Sequence, residues 1–179
     1  MIGALPPSHP EPAPIIVAAE FGTADFAWLD GLRRAHFPPE RNKIAAHLTL
    51  FHHLPPSLLG ELDTRLKAAT RNVARPAATI GEPMLLGGGV ALRVRSDALV
   101  RLRADLADAF ADMLIPQDRA GWRPHVTIQN KVAPTVARTL HAVLSADPAI
   151  ARPLQLSGIA IHYYRGGPWE PIARYRFAG

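Results

Sequence analysis

His47–Leu62 reads HLTLFHHLPPSLLGEL and His125–Leu140 reads HVTIQNKVAPTVARTL, and the second window lies over the first at a constant offset of 78 residues. Both begin His, aliphatic, Thr, aliphatic. Leu54 then matches Val132, Pro56 matches Pro134, Ser57 matches Thr135, Leu58 matches Val136 and Leu62 matches Leu140. Each window spells a strand, a proline-bearing turn, a hydroxyl helix cap and an amphipathic helix. A unit of this kind occurring twice predicts two lobes related by an approximate two-fold axis.

Outward from these windows, the text alternates short apolar runs with helical periods. Strands are expected at 15–19, 47–54, 79–86, 90–95, 126–132, 154–164 and 172–177. Helices are expected at 23–35 with Thr23 as cap and Phe26, Leu29 and Leu32 inward, and at 57–73 with an inner stripe reaching Val73. Two more are expected at 96–114, capped by Ser96 with Phe110 and Met113 inward, and at 135–145. Gly87-Gly88-Gly89 reads as a hairpin turn rather than a phosphate loop, since no strand–Gly–helix Lys-Ser pattern follows it. The fold class is α+β: a bilobal, pseudo-two-fold arrangement of antiparallel sheets, with helices on the outer faces and a central cleft. Residues 1–14, with five prolines, are expected to form a flexible tail, and 15–179 a single bilobal domain.

Composition narrows the chemistry. The chain has 179 residues, 48% hydrophobic and 20% charged, enough to bury a full core. It has no cysteine, which removes thiolate nucleophiles, disulfides and sulfur-bound zinc from consideration. No run approaches the roughly 20 apolar residues of a membrane span, and the amino-terminal stretch lacks the features of a signal peptide, so a cytoplasmic protein is expected. The net charge is +5, and lysine occurs only at Lys43, Lys67 and Lys131, so arginine supplies the remaining basic residues. Arginine suits phosphate and carboxylate, although codon bias accounts for such a balance equally well.

Residues i and i+2 of a strand share a face about 6–7 Å apart. His47 and Thr49 therefore point one way, as do His125 and Thr127, while Leu48, Leu50, Val126 and Ile128 point into the core. Two imidazoles and two hydroxyls converging on one cleft suit transfer at a phosphodiester. A neutral imidazole takes a proton from the attacking oxygen, an imidazolium protonates the departing one, and the hydroxyls hold the non-bridging oxygens. No metal and no cofactor are required. By strict alternation His52 faces away from His47, and His53 lies about 20 Å along, so the three histidines do not form a metal site. The same alternation turns Arg93, Arg95, Gln129, His162 and Tyr164 toward the ligand. Arg123 and Trp122 before the second motif, Arg41 and Lys43 before the first, and Trp169 beside the Gly-Gly-Pro turn complete the candidate contacts.

At HLTL (His47–Leu50) and HVTI (His125–Ile128), with Pro124 before the second motif, the chain resembles the 2H phosphoesterase superfamily of 2′-5′ RNA ligases and 2′,3′-cyclic nucleotide phosphodiesterases. The resemblance spans Ile15 to Phe177. It implies catalytic roles for His47, Thr49, His125 and Thr127 and a 2′-phosphate product. The sequence departs from the family at Phe51-His52-His53-Leu54, where members often end Phe-Leu-Gly. The expected activity is hydrolysis of a 2′,3′-cyclic phosphate on an RNA end or nucleotide, by a monomer needing no protein or membrane partner. The alternatives are RNA 2′-5′ ligation, a non-catalytic RNA- or nucleotide-binding module, and a metal-dependent hydrolase.

Overall fold

The computed structural model describes residues 12–179, so the proline-rich segment expected at 1–14 lies mostly outside the described residues. Seven strands form one antiparallel sheet: β1 (Ile15–Phe21), β2 (Leu48–Leu54), β3 (Ala77–Leu85), β4 (Val90–Arg95), β5 (His125–Gln129), β6 (Arg152–Tyr163) and β7 (Glu170–Arg176). Their order is β2-β1-β6-β3-β4-β5, with β7 also on β6. The long strand β6 joins the two halves. Its residues 156–163 pair with β1 and 158–163 also with β7, while 152–155 pair with β3. Each half therefore ends in one of the motif strands. Although β2 and β5 stand at opposite ends of the strand order, they approach within 8 Å, because the sheet curls until its ends meet.

The helices are α1 (Thr23–His36), α2 (Leu59–Thr70), α3 (Asp97–Ala109), α4 (Pro116–Arg119) and α5 (Pro134–Ala146). The two helices of the internal repeat occupy corresponding places, α2 against β6 and β7 and α5 against β3 and β4. They bury Leu62 and Leu66 in one half and Ala137, Leu140 and Leu144 in the other. Leu48, Leu50, Val126 and Ile128, the aliphatic positions of the two motifs, are all fully buried. Burial of these side chains, at roughly 1.5–3 kcal/mol each, ties the motif strands to the core and lets their other face present polar groups rigidly.

Several local expectations are corrected. Ser96 does cap α3, its Oγ accepting from the Leu99 amide at 3.3 Å. The hydroxyl caps of the repeat helices do not form. Helix α2 begins after a 3₁₀ turn at Pro56–Leu58, and α5 begins with Pro134 at its first position, neither with a side-chain cap. Proline needs no N–H partner there and is pre-set for the helical φ, so the turn starts without a cap. Thr23 lies inside α1, preceded by Gly22 as cap. Helix α3 stops at Ala109, and a 3₁₀ turn at Ala111–Met113 rotates Met113 outward while Phe110 stays buried. Phe26 and Val73 are likewise exposed rather than inward. Gly87, in the β3–β4 turn, adopts a φ of 78°. A Cβ on Gly89 would meet the Gln129 carbonyl oxygen at 1.9 Å, so glycine there lets the turn close onto the end of β5.

The largest departure is in the motif strands. Between Thr49 and Phe51 the β2 register advances two residues while β1 advances one, from Ala18 to Val17. Between Thr127 and Gln129 the β5 register likewise advances two while β4 advances one, from Ala91 to Val90. These are β-bulges at equivalent places of the repeat. Each inserts a residue and reverses the alternation beyond it. Leu50 and Phe51 both become buried, as do Ile128 and Gln129. A second register shift in β2, between Phe51 and Leu54, leaves His52 and His53 both exposed.

Candidate active site

His47, Thr49, His125 and Thr127 line one cavity of about 310 Å³ between the ends of the sheet. Their placement follows from the strands: Thr49 stands opposite Ala18 of β1, and Thr127 opposite Ala91 of β4. In both halves a small alanine flanks the threonine on the same face and leaves the hydroxyl uncrowded.

Each histidine is held by its own backbone. His47 Nδ1 lies 2.8 Å from the Ala45 carbonyl oxygen, and His125 Nδ1 lies 2.7 Å from that of Arg123. A carbonyl oxygen only accepts, so Nδ1 carries the hydrogen in both rings. In a neutral ring the lone pair is then on Nε2. The same i to i−2 bond in both halves gives the two imidazoles the same tautomer and a matched pose.

The edges of the motif strands would present unpaired backbone groups, and side chains satisfy them. Arg33 of α1, 5% exposed, donates from Nη1 to the Thr127 carbonyl at 2.8 Å and from Nε to Asn42 Oδ1 and the Ile44 carbonyl. Arg103 of α3 reaches the Leu50 carbonyl at 3.4 Å and also bonds the Asp118 carbonyl. Trp122 Nε1 donates to the Thr49 carbonyl at 3.0 Å. On β2, the Asp118 carboxylate accepts the amides of His52 and His53 at 3.0 Å and His52 Nδ1 at 2.9 Å. Asp118 is 1% exposed. Burial pushes its carboxyl upward, but the His52 ring and the two amides outweigh this and hold it below the usual carboxylate range.

The two histidines differ in surroundings. The Trp169 ring lies against His47, with centroids 4.6 Å apart, and also against His162 at 5.4 Å. Desolvation lowers the His47 pKa to about 4; the Ala45 carbonyl opposes this, and charge on Arg33, His52 and His125 adds to the lowering. His47 is therefore neutral at pH 7. Between about pH 6.5 and 4 the unfolded chain binds a proton at this ring that the folded chain refuses. Stability from this group is full above about 6.5 and is lost as pH falls toward 4.

The remaining sequence candidates divide. Arg123 lines the quartet cavity, and Trp169 lines both it and an adjoining pocket of about 460 Å³ that His162 shares. Burial lowers the pKa of His162, whose Nδ1 is buried without a hydrogen-bond partner. Gln129, expected to face the cleft, is 4% exposed, because the β5 bulge turns it inward. Arg93 sits opposite His125 across β4 and β5, hence on the same face, but its guanidinium is committed to Glu82. Arg95 is exposed and bonded to the same carboxylate. Tyr164 is exposed beyond the end of β6 and lines neither cavity. His52, expected to face away from His47, lines the quartet cavity, because the bulge at Leu50–Phe51 restores it to that face. Sequence reasoning missed Asp118, Arg33 and Arg103. Only Arg33 left a trace, as a cation beside the apolar stripe Leu29 and Leu32 of α1. Among the described residues no group of three or more His, Asp or Glu could hold a metal ion, and no helix is long and apolar enough to cross a membrane.

A curled antiparallel sheet with a His-x-Thr strand at each end, the four side chains meeting in one cavity, is the architecture of the 2H phosphoesterases. The profile of the 2′-5′ RNA ligase superfamily matches residues 21–168, and the chain belongs to that superfamily. Among solved structures, the chain is similar in fold to Escherichia coli LigT complexed with 3′-AMP, at 18% identity and a TM-score of 0.64, covering 94% of this chain and 100% of that one. It is similar also to TT0787 of Thermus thermophilus, at 14% identity and a TM-score of 0.61, covering 93% and 98%. A third similar structure, described as a phosphoesterase, has 19% identity and a TM-score of 0.59, covering 94% and 100%. A search of curated proteins found no match.

Proposed function

We propose that this cleft hydrolyses a 2′,3′-cyclic phosphate on an RNA end or nucleotide without a metal ion, with His47 as general base and His125 as general acid. The observation that carries the reading is the paired anchoring of the two rings, each with Nδ1–H spent on a backbone carbonyl and Nε2 left for the shared cavity. His47, neutral at pH 7, takes the proton of a water through Nε2. The water oxygen bonds to phosphorus in line with the P–O3′ bond, which breaks. His125, entering as imidazolium, gives its Nε2 proton to the departing O3′ and leaves a 2′-phosphate. The Thr49 and Thr127 hydroxyls donate to the non-bridging oxygens as charge accumulates. The adjoining pocket, with Trp169, Phe21 and His162 on its walls, suits a nucleobase. That E. coli LigT was solved with 3′-AMP and with NADP+ supports a nucleotide as ligand.

Superfamily membership supports a second reading, RNA 2′-5′ ligation. The attacking group is then a hydroxyl of a second strand, and the four side chains keep their parts. Assays of 2′,3′-cyclic nucleotides and of RNA ends bearing cyclic phosphate, all with EDTA present, separate the readings. Hydrolysis that survives the chelator is expected. Activity abolished by EDTA, or absent on every cyclic phosphate, overturns the proposal.

The His47 environment also sets a pH expectation. The base fails only when His47 is protonated, so the acid limb of kcat/KM is expected near pH 4, rather than near the ordinary histidine value. A pair of unperturbed imidazoles would give a bell between about pH 5 and 8. A pH–rate profile with its acid limb at or above 6 would contradict the assignment of His47 as base.

A further inference from the structure

The quartet cavity contains a third imidazole that the mechanism leaves unused. His52 reaches it because the β2 bulge turns the strand, and Asp118, buried beneath, fixes the ring through Nδ1 at 2.9 Å. That bond occupies one ring nitrogen and leaves Nε2 as the free polar atom on a side chain 42% exposed. The same carboxylate also binds the His52 and His53 amides, so the backbone beneath the ring is pinned with it. Such support is what a ligand-contacting group needs and a solvated surface histidine does not. The cavity is lopsided here. The equivalent position in the other half is Asn130, which does not line it. His52 stands three residues beyond Thr49, about 10 Å along an unbulged strand, so a group other than the reacting phosphorus meets it. Arg123 and Gln117 share the cavity, and no salt bridge is recorded for Arg123 among the described residues. The adjoining pocket on the far side of His47 is walled by Trp169 and apolar residues, so polar recognition falls to the His52 side.

Resting on the reading of the cleft as a cyclic-phosphate site, we propose that His52, held by Asp118, binds a second phosphate of the substrate, the 5′-phosphate of the nucleotide that carries the cyclic phosphate. The imidazolium then sits between two anions, Asp118 at Nδ1 and the phosphate at Nε2, and donates to both. The preferred substrate is accordingly a 5′-phosphorylated nucleotide or the last residue of an RNA chain, over a free nucleoside cyclic phosphate.

Calorimetric binding of two product-like ligands tests this without relying on turnover. The 5′-phosphate of adenosine 2′,5′-bisphosphate is expected to tighten binding about tenfold relative to adenosine 2′-monophosphate in the wild-type chain. In His52→Gln that gain is expected to shrink to about twofold or less, and His52→Lys, which keeps a cation, is expected to recover part of it. In the wild-type protein, NMR should show the His52 ring resonances moving with the bisphosphate and not with the monophosphate, a readout independent of whether any variant folds. No gain from the 5′-phosphate in the wild type, an equal gain in His52→Gln, or an unmoved His52 ring overturns the inference. If the His52-dependent gain is found but no cyclic phosphate is hydrolysed, the phosphate subsite stands and the proposed hydrolysis falls.

Discussion

Replacing His47 or His125 with alanine is expected to lower turnover of a 2′,3′-cyclic nucleotide by about 10²–10⁴-fold while leaving the fold in place. The size follows from the part each ring plays. Without His47 no neutral base with a free Nε2 faces the attacking water, and without His125 the departing oxygen leaves as an alkoxide. The small structural cost follows from their contacts. The hydrogen bond recorded for each ring is to a carbonyl two residues back in its own chain segment, and neither ring belongs to the core. The two losses should not add, because a base without an acid, or the reverse, leaves the same slow step. Thr49→Val and Thr127→Val are expected to cost less, since each removes one hydroxyl donor while the proton transfers remain. Steady-state kinetics beside thermal melts decide the matter. A His47→Ala or His125→Ala enzyme that is folded and retains wild-type turnover would remove that residue from the mechanism.

The largest effect on stability is expected at Arg33. Its guanidinium, 5% exposed, bonds Asn42 Oδ1 and the Ile44 carbonyl on the approach to His47 and the Thr127 carbonyl on β5, and it lies 4.1 Å from the Phe37 ring centroid. One planar group thus joins the lead-in to the first motif with the strand of the second. Arg33→Ala strands three buried acceptors and opens a void, at an expected cost of about 3–5 kcal/mol, or roughly 6–20 °C of melting temperature for a chain this size. Arg33→Lys is expected to recover little, because an ammonium cannot span three acceptors held in a planar fork. Turnover of the surviving folded fraction should fall as well, since the bonds that are lost fix the spacing of His47 and Thr127. A melting temperature within about 2 °C of wild type for Arg33→Ala would show that the lobes are held by other contacts.

How far the sequence could be read is clearest in the two motif windows. Their repetition disclosed the two-fold plan, the strand-then-helix unit and the pairing of His47 with Thr49 and of His125 with Thr127, because period-2 alternation over three residues is a local property of extended chain. The same alternation carried two residues further misplaced His52 and Gln129. A β-bulge depends on how the neighbouring strand registers, and nothing within HLTLFHH or HVTIQNK announces it. Parity placed Arg93 on the right face, but could not foresee that Glu82, on the next strand, would occupy it. Asp118 was illegible for a similar reason. A lone aspartate in a short helix acquires meaning only when the tertiary fold buries it under the edge of β2.

By itself, the sequence determined the repeat, the apolar stripes that make the core and the four side chains given to chemistry, all of which follow from hydrophobic period and local spacing. Only the tertiary structure decided that the sheet curls to bring its two end strands together, that Arg33 and Trp122 bond across them, and that bulges return His52 to the cleft and withdraw Gln129. Those outcomes depend on backbone hydrogen bonds and burial between segments some 70 to 94 residues apart, where no local propensity acts.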